Sequence, residues 1–119
     1  MIKIPGPQKR VAKRMTSEIE KGVSITPMPI TMNEEVTITY NGLLAENNAE
    51  NVYLHVGTGD SANWQDVQDI KMERESNCWT ANIVPNESQL HFCFHDGANN
   101  WDNNYNLNWS VTIHNGRML

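Results

Sequence analysis

Long apolar runs are missing from this sequence of 119 residues. No stretch approaches the ~20 apolar residues of a membrane-spanning helix, and the N-terminal stretch has no apolar segment like that of a secretory signal peptide. We therefore expect a protein without a membrane partner. It is expected in the cytoplasm if the chain is complete, and outside the cell if the chain is a fragment of a longer secreted protein.

Basic residues are scarce beyond the N-terminus. Residues 1–21 hold six Lys or Arg against two acidic residues, whereas the rest of the chain holds three against twelve, and the net charge is −5. Because an acidic body repels the phosphate backbone, nucleic acid is not an expected partner.

Cysteine is scarce as well, with Cys78 and Cys93 only. We expect their two strands to form a hairpin through residues 85–89, in a register that sets Trp79 opposite Phe94. The cysteines are then diagonal neighbours, usually too far apart for a disulfide. Free thiols are predicted, which suits a reducing compartment.

Metal ligands do not gather at a recognisable spacing. His91 and His95 share one face of a strand but lie ~13 Å apart along it, too far for both to bind one zinc ion. Cys93 and His95 have no second pair of ligands at matching spacing. We predict no metal ligands and no cofactor. One loop offers oxygen ligands for calcium as an open alternative, although it lacks the EF-hand pattern. Its candidate ligands are Asp96, Asn99, Asn100, Asp102 and Asn103.

The length suits a single domain with one core. Residues 1–23 are interpreted as a basic leader, either helical along Val11, Met15 and Ile19 or disordered. Residues 24–119 show period-two patterns separated by Asn, Gly, Asp, Pro and Ser, which predicts an all-β antiparallel sandwich of immunoglobulin-like architecture. The predicted strands are 36–40, 52–56, 69–73, 78–84, 90–95 and 109–113.

Alternation along the strands assigns side chains to faces. Val52, Leu54 and Val56 are expected in the core, so Tyr53 and His55 face outward. Three further rows are expected to face inward, and two of them carry a tryptophan. They are Trp79, Ala81 and Ile83; Leu90, Phe92 and Phe94; and Trp109, Val111 and Ile113.

The other two tryptophans lie in polar sequences that are typical of loops. Trp64 stands in "GTGDSANWQD" and Trp101 in "HDGANNWDNNY". An indole left in water forgoes burial, so each of these rings either packs back over its loop or is held out to stack on a ligand, and the pattern alone leaves both interpretations open. A pyranose ring has C–H groups on its faces, which suit indole, and hydroxyls at its rim, which suit His, Asn and Asp.

Three blocks, "VYLHVGTGDSANWQDVQDIKM", "CWTANIV" and "LHFCFHDGANNWDNNYNLNWSV", resemble the family 25 carbohydrate-binding modules, the starch-binding domains found beside amylases. The similarity covers about residues 34–114. It implies a β-sandwich that binds α-1,4-glucans such as starch, glycogen or malto-oligosaccharides, without catalysis. By position it also implies a site. The implied residues are His55, Trp64 and Trp101, with Asp102, Asn103 and Asn104 as hydrogen-bonding candidates.

Two positions depart from that family. Val56 stands where an aromatic residue is frequent, and Asn106 stands where glycine is common, although Asn tolerates the left-handed conformation. Two other functions stay open. Asp96 and Asp102 would suit a small glycosidase, and the exposed tryptophans would suit a docking module for a protein partner.

Overall fold

The computed structural model describes residues 15–115, in which nearly all regular structure is β-strand. Within this range no helix is long and apolar enough to span a membrane. The elements are β1 Met15–Glu20, β2 Val23–Met28, β3 Ile30–Thr31, β4 Val36–Tyr40, α1 Leu43–Glu46, β5 Tyr53–Asp60, β6 Asn63–Lys71, β7 Glu73–Glu75, β8 Cys78–Ile83, β9 Gln89–His95, β10 Trp101–Asp102 and β11 Trp109–His114.

The strands form two sheets. One has the order β1-β2-β4-β8-β7, and the other has the order β3-β11-β9-β5-β6, with β10 paired to β9. All pairs are antiparallel except β3 with β11. Apart from β1, β3 and β10, these orders correspond to strands A, B, E, D and G, F, C, C′ of an immunoglobulin domain. The predicted immunoglobulin-like sandwich is confirmed.

The core lies between the sheets and follows the predicted alternation. Val52, Leu54 and Val56 are buried, as are Trp79 and Trp109. Aromatic rings from both sheets fill the centre, where the centroids of Tyr40 and Phe94 lie 4.0 Å apart. Ile83 and Val111 are half-buried and pack against this cluster.

The first strand lies inside the predicted leader. β1 pairs with β2, Ile19 packs against the core, and the carbonyl of Glu20 accepts a hydrogen bond from Nε1 of Trp109 at 3.2 Å. The prediction of a helical or disordered leader is therefore wrong for residues 15–20. Pairing with β2 gives their backbone groups partners, whereas so short a helix is marginal alone. The boundary predicted between residues 23 and 24 falls within β2, and Val11 lies outside the described residues.

The predicted hairpin of β8 and β9 is wrong. β8 pairs with β4 and β7, whereas β9 pairs with β5, β10 and β11, so Cys78 and Cys93 stand in different sheets. Alternation identifies the apolar face of a strand but not its neighbour. Both cysteines are free thiols as predicted, for a different reason than the expected register.

Candidate functional site

The outer face of β9 forms the floor of the candidate site. Phe92 and Phe94 point into the core, so His91, Cys93 and His95 lie on the opposite face. His91 and Cys93 are nevertheless buried. Burial raises the pKa of the Cys93 thiol to about 12, so this side chain stays protonated and is a poor metal ligand.

Trp64 lies on β6, not in the loop that its polar sequence predicted. The preceding turn is Ser61 and Ala62, in which the Ala62 N–H donates to the Asp60 carboxylate at 2.8 Å. The indole stacks on the imidazole of His91, with centroids 5.6 Å apart and planes at 25°. Its Nε1 donates to the carbonyl of Ser61 at 3.0 Å. One face of Trp64 thus rests on protein, and the ring orientation is fixed.

Gly57 allows Trp64 to lie close against β5. A Cβ atom at this position would stand 3.0 Å from Cβ and 3.1 Å from Cε3 of Trp64. Because real Cβ contacts are seldom so short, a larger residue would displace the indole.

Trp101 lies on β10, a two-residue strand that pairs with the C-terminal end of β9. It pairs with His95. Its indole lies 4.4 Å from the His95 imidazole and meets His55 edge-on at 5.1 Å. The side chain is still 48% exposed. Two imidazoles therefore support an indole that keeps a large apolar surface in water, as suits a ligand-binding residue.

Asp69 joins His55 to His95. Its Oδ1 lies 2.7 Å from Nδ1 of His55 and 2.8 Å from Nε2 of His95. Burial raises the pKa of Asp69, but the hydrogen bonds from both imidazoles outweigh it and hold this pKa below its usual value. Since an ionised Asp69 only accepts, neutral His55 carries its proton on Nδ1. Its Nε2 is then a free acceptor.

The same three residues offer ligand atoms within 4.8 Å of one another, a spacing that could hold a metal ion. Their hydrogen bonds oppose this role. The Gly97 N–H donates to Nδ1 of His95 at 3.1 Å, so neutral His95 carries its proton on Nε2, the atom that faces Asp69. A metal at Nε2 would require that proton at Nδ1, where the Gly97 N–H already points. The cluster is therefore built as a hydrogen-bonded bridge.

Asp102 and Asn104, two of the predicted site residues, are turned into the protein. Asp102 is 8% exposed and accepts a hydrogen bond from the Tyr40 hydroxyl at 2.5 Å. Asn104 is buried and donates to the carbonyl of Asn108 at 3.1 Å and to the Glu20 carboxylate at 3.3 Å. Asp102 follows Trp101 on an extended strand, where neighbouring side chains point in opposite directions, and Asn104 lies in the turn after that strand, with a left-handed backbone.

The carboxylates of the proposed glycosidase pair and calcium loop have structural partners. Asp96 accepts from the Ala98 N–H at 2.7 Å and from the Asn100 side chain at 2.8 Å. These bonds, above all that from the Asn100 side chain, lower the pKa of Asp96. Since Asp102 is bonded to Tyr40, the two carboxylates hold separate parts of the structure rather than a shared site.

Four of the six predicted residues come together. His55, Trp64, Trp101 and Asn103 line one shallow depression of about 290 Å³, together with Cys93 and Asn108. The imidazole of His55 is central, because its ring centroid lies 5.8 Å from that of Trp64 and 5.1 Å from that of Trp101.

Asp69 and the supporting role of His95 were not predicted. Their prediction would have required the register in which β5 pairs with β6 and β9 pairs with β10. Asp69 lies opposite His55 on β6, and His95 lies opposite Trp101 on β9.

Residues 36–92, just under half of the chain, match the model of a known protein family. That family is described as a starch/carbohydrate-binding module, family 53. The match corrects the resemblance to family 25, since a different family of starch-binding modules is the one found. The matched residues include His55, Trp64 and Asp69 and end before His95 and Trp101.

An α-amylase of Clostridium acetobutylicum is 45% identical to the chain over 78 residues, which cover 63% of this chain and 10% of that protein. The chain thus spans about a tenth of that relative's length. No solved structure matches the chain. Non-catalytic carbohydrate binding, with a polysaccharide partner, is the function that these matches support, and they do not favour a protein-docking module.

Proposed function

We propose that the chain binds α-1,4-glucans on the open face formed by His55, Trp64 and Trp101, which we call the aromatic platform. The observation that carries the proposal is the gathering of three rings from three strands around one depression, at the distances given above. A half-exposed indole stabilises the fold less than a buried one, so an indole held half in water beside other rings indicates a place for a ligand.

The chemistry of the platform matches both surfaces of a sugar. The indoles of Trp64 and Trp101 contact the C–H groups of the pyranose faces by dispersion. Nε2 of His55 accepts a hydrogen bond from a hydroxyl, because Asp69 holds the proton on Nδ1. Asn103 exchanges two hydrogen bonds with Asn106 and retains one further amide hydrogen and one lone pair for the sugar rim.

The platform is a binding surface without catalysis. Asp69 positions His55, and Asp96 and Asp102 are engaged in the fold. An open face with few contacts should bind weakly, with a Kd of roughly micromolar to millimolar, because association itself costs several kcal/mol. Binding to a polymer then gains from its many repeated sites.

Adsorption to insoluble starch, with soluble maltoheptaose as competitor, tests the proposal. We expect the wild-type chain to be retained and to be released by maltoheptaose. Trp64→Ala and Trp101→Ala should each lose most of the adsorption while remaining folded. Leu107→Ala is the matched control, because Leu107 is 74% exposed and does not line the depression.

Two results would contradict the proposal. Adsorption that persists in both tryptophan variants would place the glucan elsewhere. A wild-type chain that neither adsorbs nor binds maltoheptaose would leave the exposed rings to a protein partner.

A further inference from the structure

A second groove adjoins the aromatic platform. Its volume is about 400 Å³, within the ~300–1,000 Å³ typical of small-molecule sites. Trp101 and Asn103 line both this groove and the depression of the platform, so the two adjoin at these residues. Its other lining residues include the exposed Asn41, Leu43, Glu46 and Tyr105, with the buried Asp102 and Asn104 beneath them.

Tyr105 is presented to solvent by a backbone conformation that tyrosine rarely adopts. Its side chain is 82% exposed and its φ is +57°, between Asn104 and Asn106, which are also left-handed. Asparagine tolerates this region, but a bulky side chain does so at a cost. The conformation is retained because Asn103 and Asn106 exchange hydrogen bonds and the Asn108 N–H donates to the carbonyl of Asn103 at 2.7 Å. Strain that keeps an aromatic ring in water indicates a binding role.

The groove repeats the chemistry of the aromatic platform. Tyr105 and the half-exposed Leu43 supply apolar contact, while Asn41, Glu46 and Asn103 supply hydrogen-bonding groups. Lys21 is already placed over the Tyr105 ring, with Nζ 5.3 Å from its centroid. This cation–π contact restrains the exposed ring and lowers the entropy lost when a ligand stacks on it.

We propose that this groove is a second glucan subsite, which takes the sugar units that continue past Trp101 when the oligosaccharide is longer than the aromatic platform. The inference rests on the proposed function of that platform. A continuous chain of sugars is the occupant, because the two sites share Trp101 and Asn103 and offer the same combination of rings and short polar groups.

Calorimetric titration with maltotriose and maltoheptaose tests the subsite. Tyr105→Asn is the informative variant, since asparagine removes the ring yet tolerates the left-handed backbone. We expect it to weaken maltoheptaose binding about fivefold to tenfold, the scale of one lost aromatic contact, and to leave maltotriose binding within about twofold of the wild type. Leu43→Ala, on a separate element, should produce a smaller loss for the longer sugar only.

The control is Leu107→Ala, which changes an exposed side chain of the same loop outside the groove and should alter neither affinity. Unchanged maltoheptaose binding in Tyr105→Asn would overturn the subsite. So would equal losses for both sugars, because Tyr105 would then act through the shape of the platform. If the wild type binds neither sugar, the proposed function fails and the subsite fails with it.

Discussion

Asp102 is expected to stabilise the fold rather than to contact the ligand, and Asp102→Ala separates these roles. Its Oδ2 accepts the hydroxyl of the fully buried Tyr40 at 2.5 Å, and the same hydroxyl oxygen accepts the Leu44 N–H at 3.0 Å. Burial and the bond to Asp102 raise the pKa of Tyr40, so the phenol is the donor at neutral pH. The network ties β4 and α1 to β10, the strand that carries Trp101.

The expected cost follows from these contacts. A hydrogen bond to an ionised group contributes ~1.5–3 kcal/mol, and a buried donor left without an acceptor costs a further ~1–3 kcal/mol. Removing Asp102 also removes the cost of burying its charge, which offsets part of this loss. We expect a net loss of about 2–3 kcal/mol in the free energy of unfolding. At roughly 4 °C per kcal/mol for a domain of this size, Tm should fall by ~8–12 °C.

Thermal melts and maltoheptaose titrations on the same samples measure both quantities. Below its melting transition, Asp102→Ala should retain glucan affinity within about threefold of the wild type. Tyr40→Phe is the matched variant, because it deletes the same hydrogen bond from the other partner and should lower Tm similarly. An unchanged Tm with lost glucan affinity in Asp102→Ala would refute the structural role.

Three further predictions concern Asp69, Trp109 and the two cysteines. Asp69→Ala should lower maltoheptaose affinity several-fold by releasing His55 but cost less than ~1 kcal/mol of stability, because Asp69 is half-exposed. Folding lowers the pKa of Asp69, so the contribution of its ionised carboxylate to stability is complete above the usual pKa of 3.8 and is lost as the pH falls below that value. The Tm values of the wild type and of Asp69→Ala should therefore converge in acid. A Tm difference that stays constant with pH would contradict this. Trp109→Ala should cost ~3–5 kcal/mol in denaturant titrations, and a loss below ~1 kcal/mol would contradict its core placement. A thiol reagent should modify Cys78 in the native protein and Cys93 only after unfolding, which mass spectrometry reads directly; rapid native labelling of Cys93 would be inconsistent with its burial.

The alternation of apolar and polar residues predicts which side chains of a strand face the core and which face solvent. The alternating pattern predicts the strand Val36–Tyr40 at its observed bounds, and it predicts that His55 faces outward because Leu54 and Val56 are apolar. Both inferences use only the period of the side chains, which is local. They were sufficient to separate the two core tryptophans from the two platform tryptophans.

The alternation of apolar residues does not predict which strands pair or where tight turns fall. Gly59, Asp60 and Ser61 indicated a loop, yet they belong to a tight hairpin that continues as β6 and carries Trp64. Likewise, β1 becomes a strand through its pairing with β2 and the contact between Glu20 and Trp109. Such long-range partners decide structure without leaving a local signal.

The indole N–H resonances of the four tryptophans, followed during a maltoheptaose titration, test the central claim most directly. We predict large, saturable shifts for Trp64 and Trp101, whose rings line the depression, and small shifts for Trp79 and Trp109, which are buried between the sheets. Saturable binding that leaves Trp64 and Trp101 unshifted would contradict the aromatic platform, and the absence of any shift at millimolar maltoheptaose would contradict glucan binding itself.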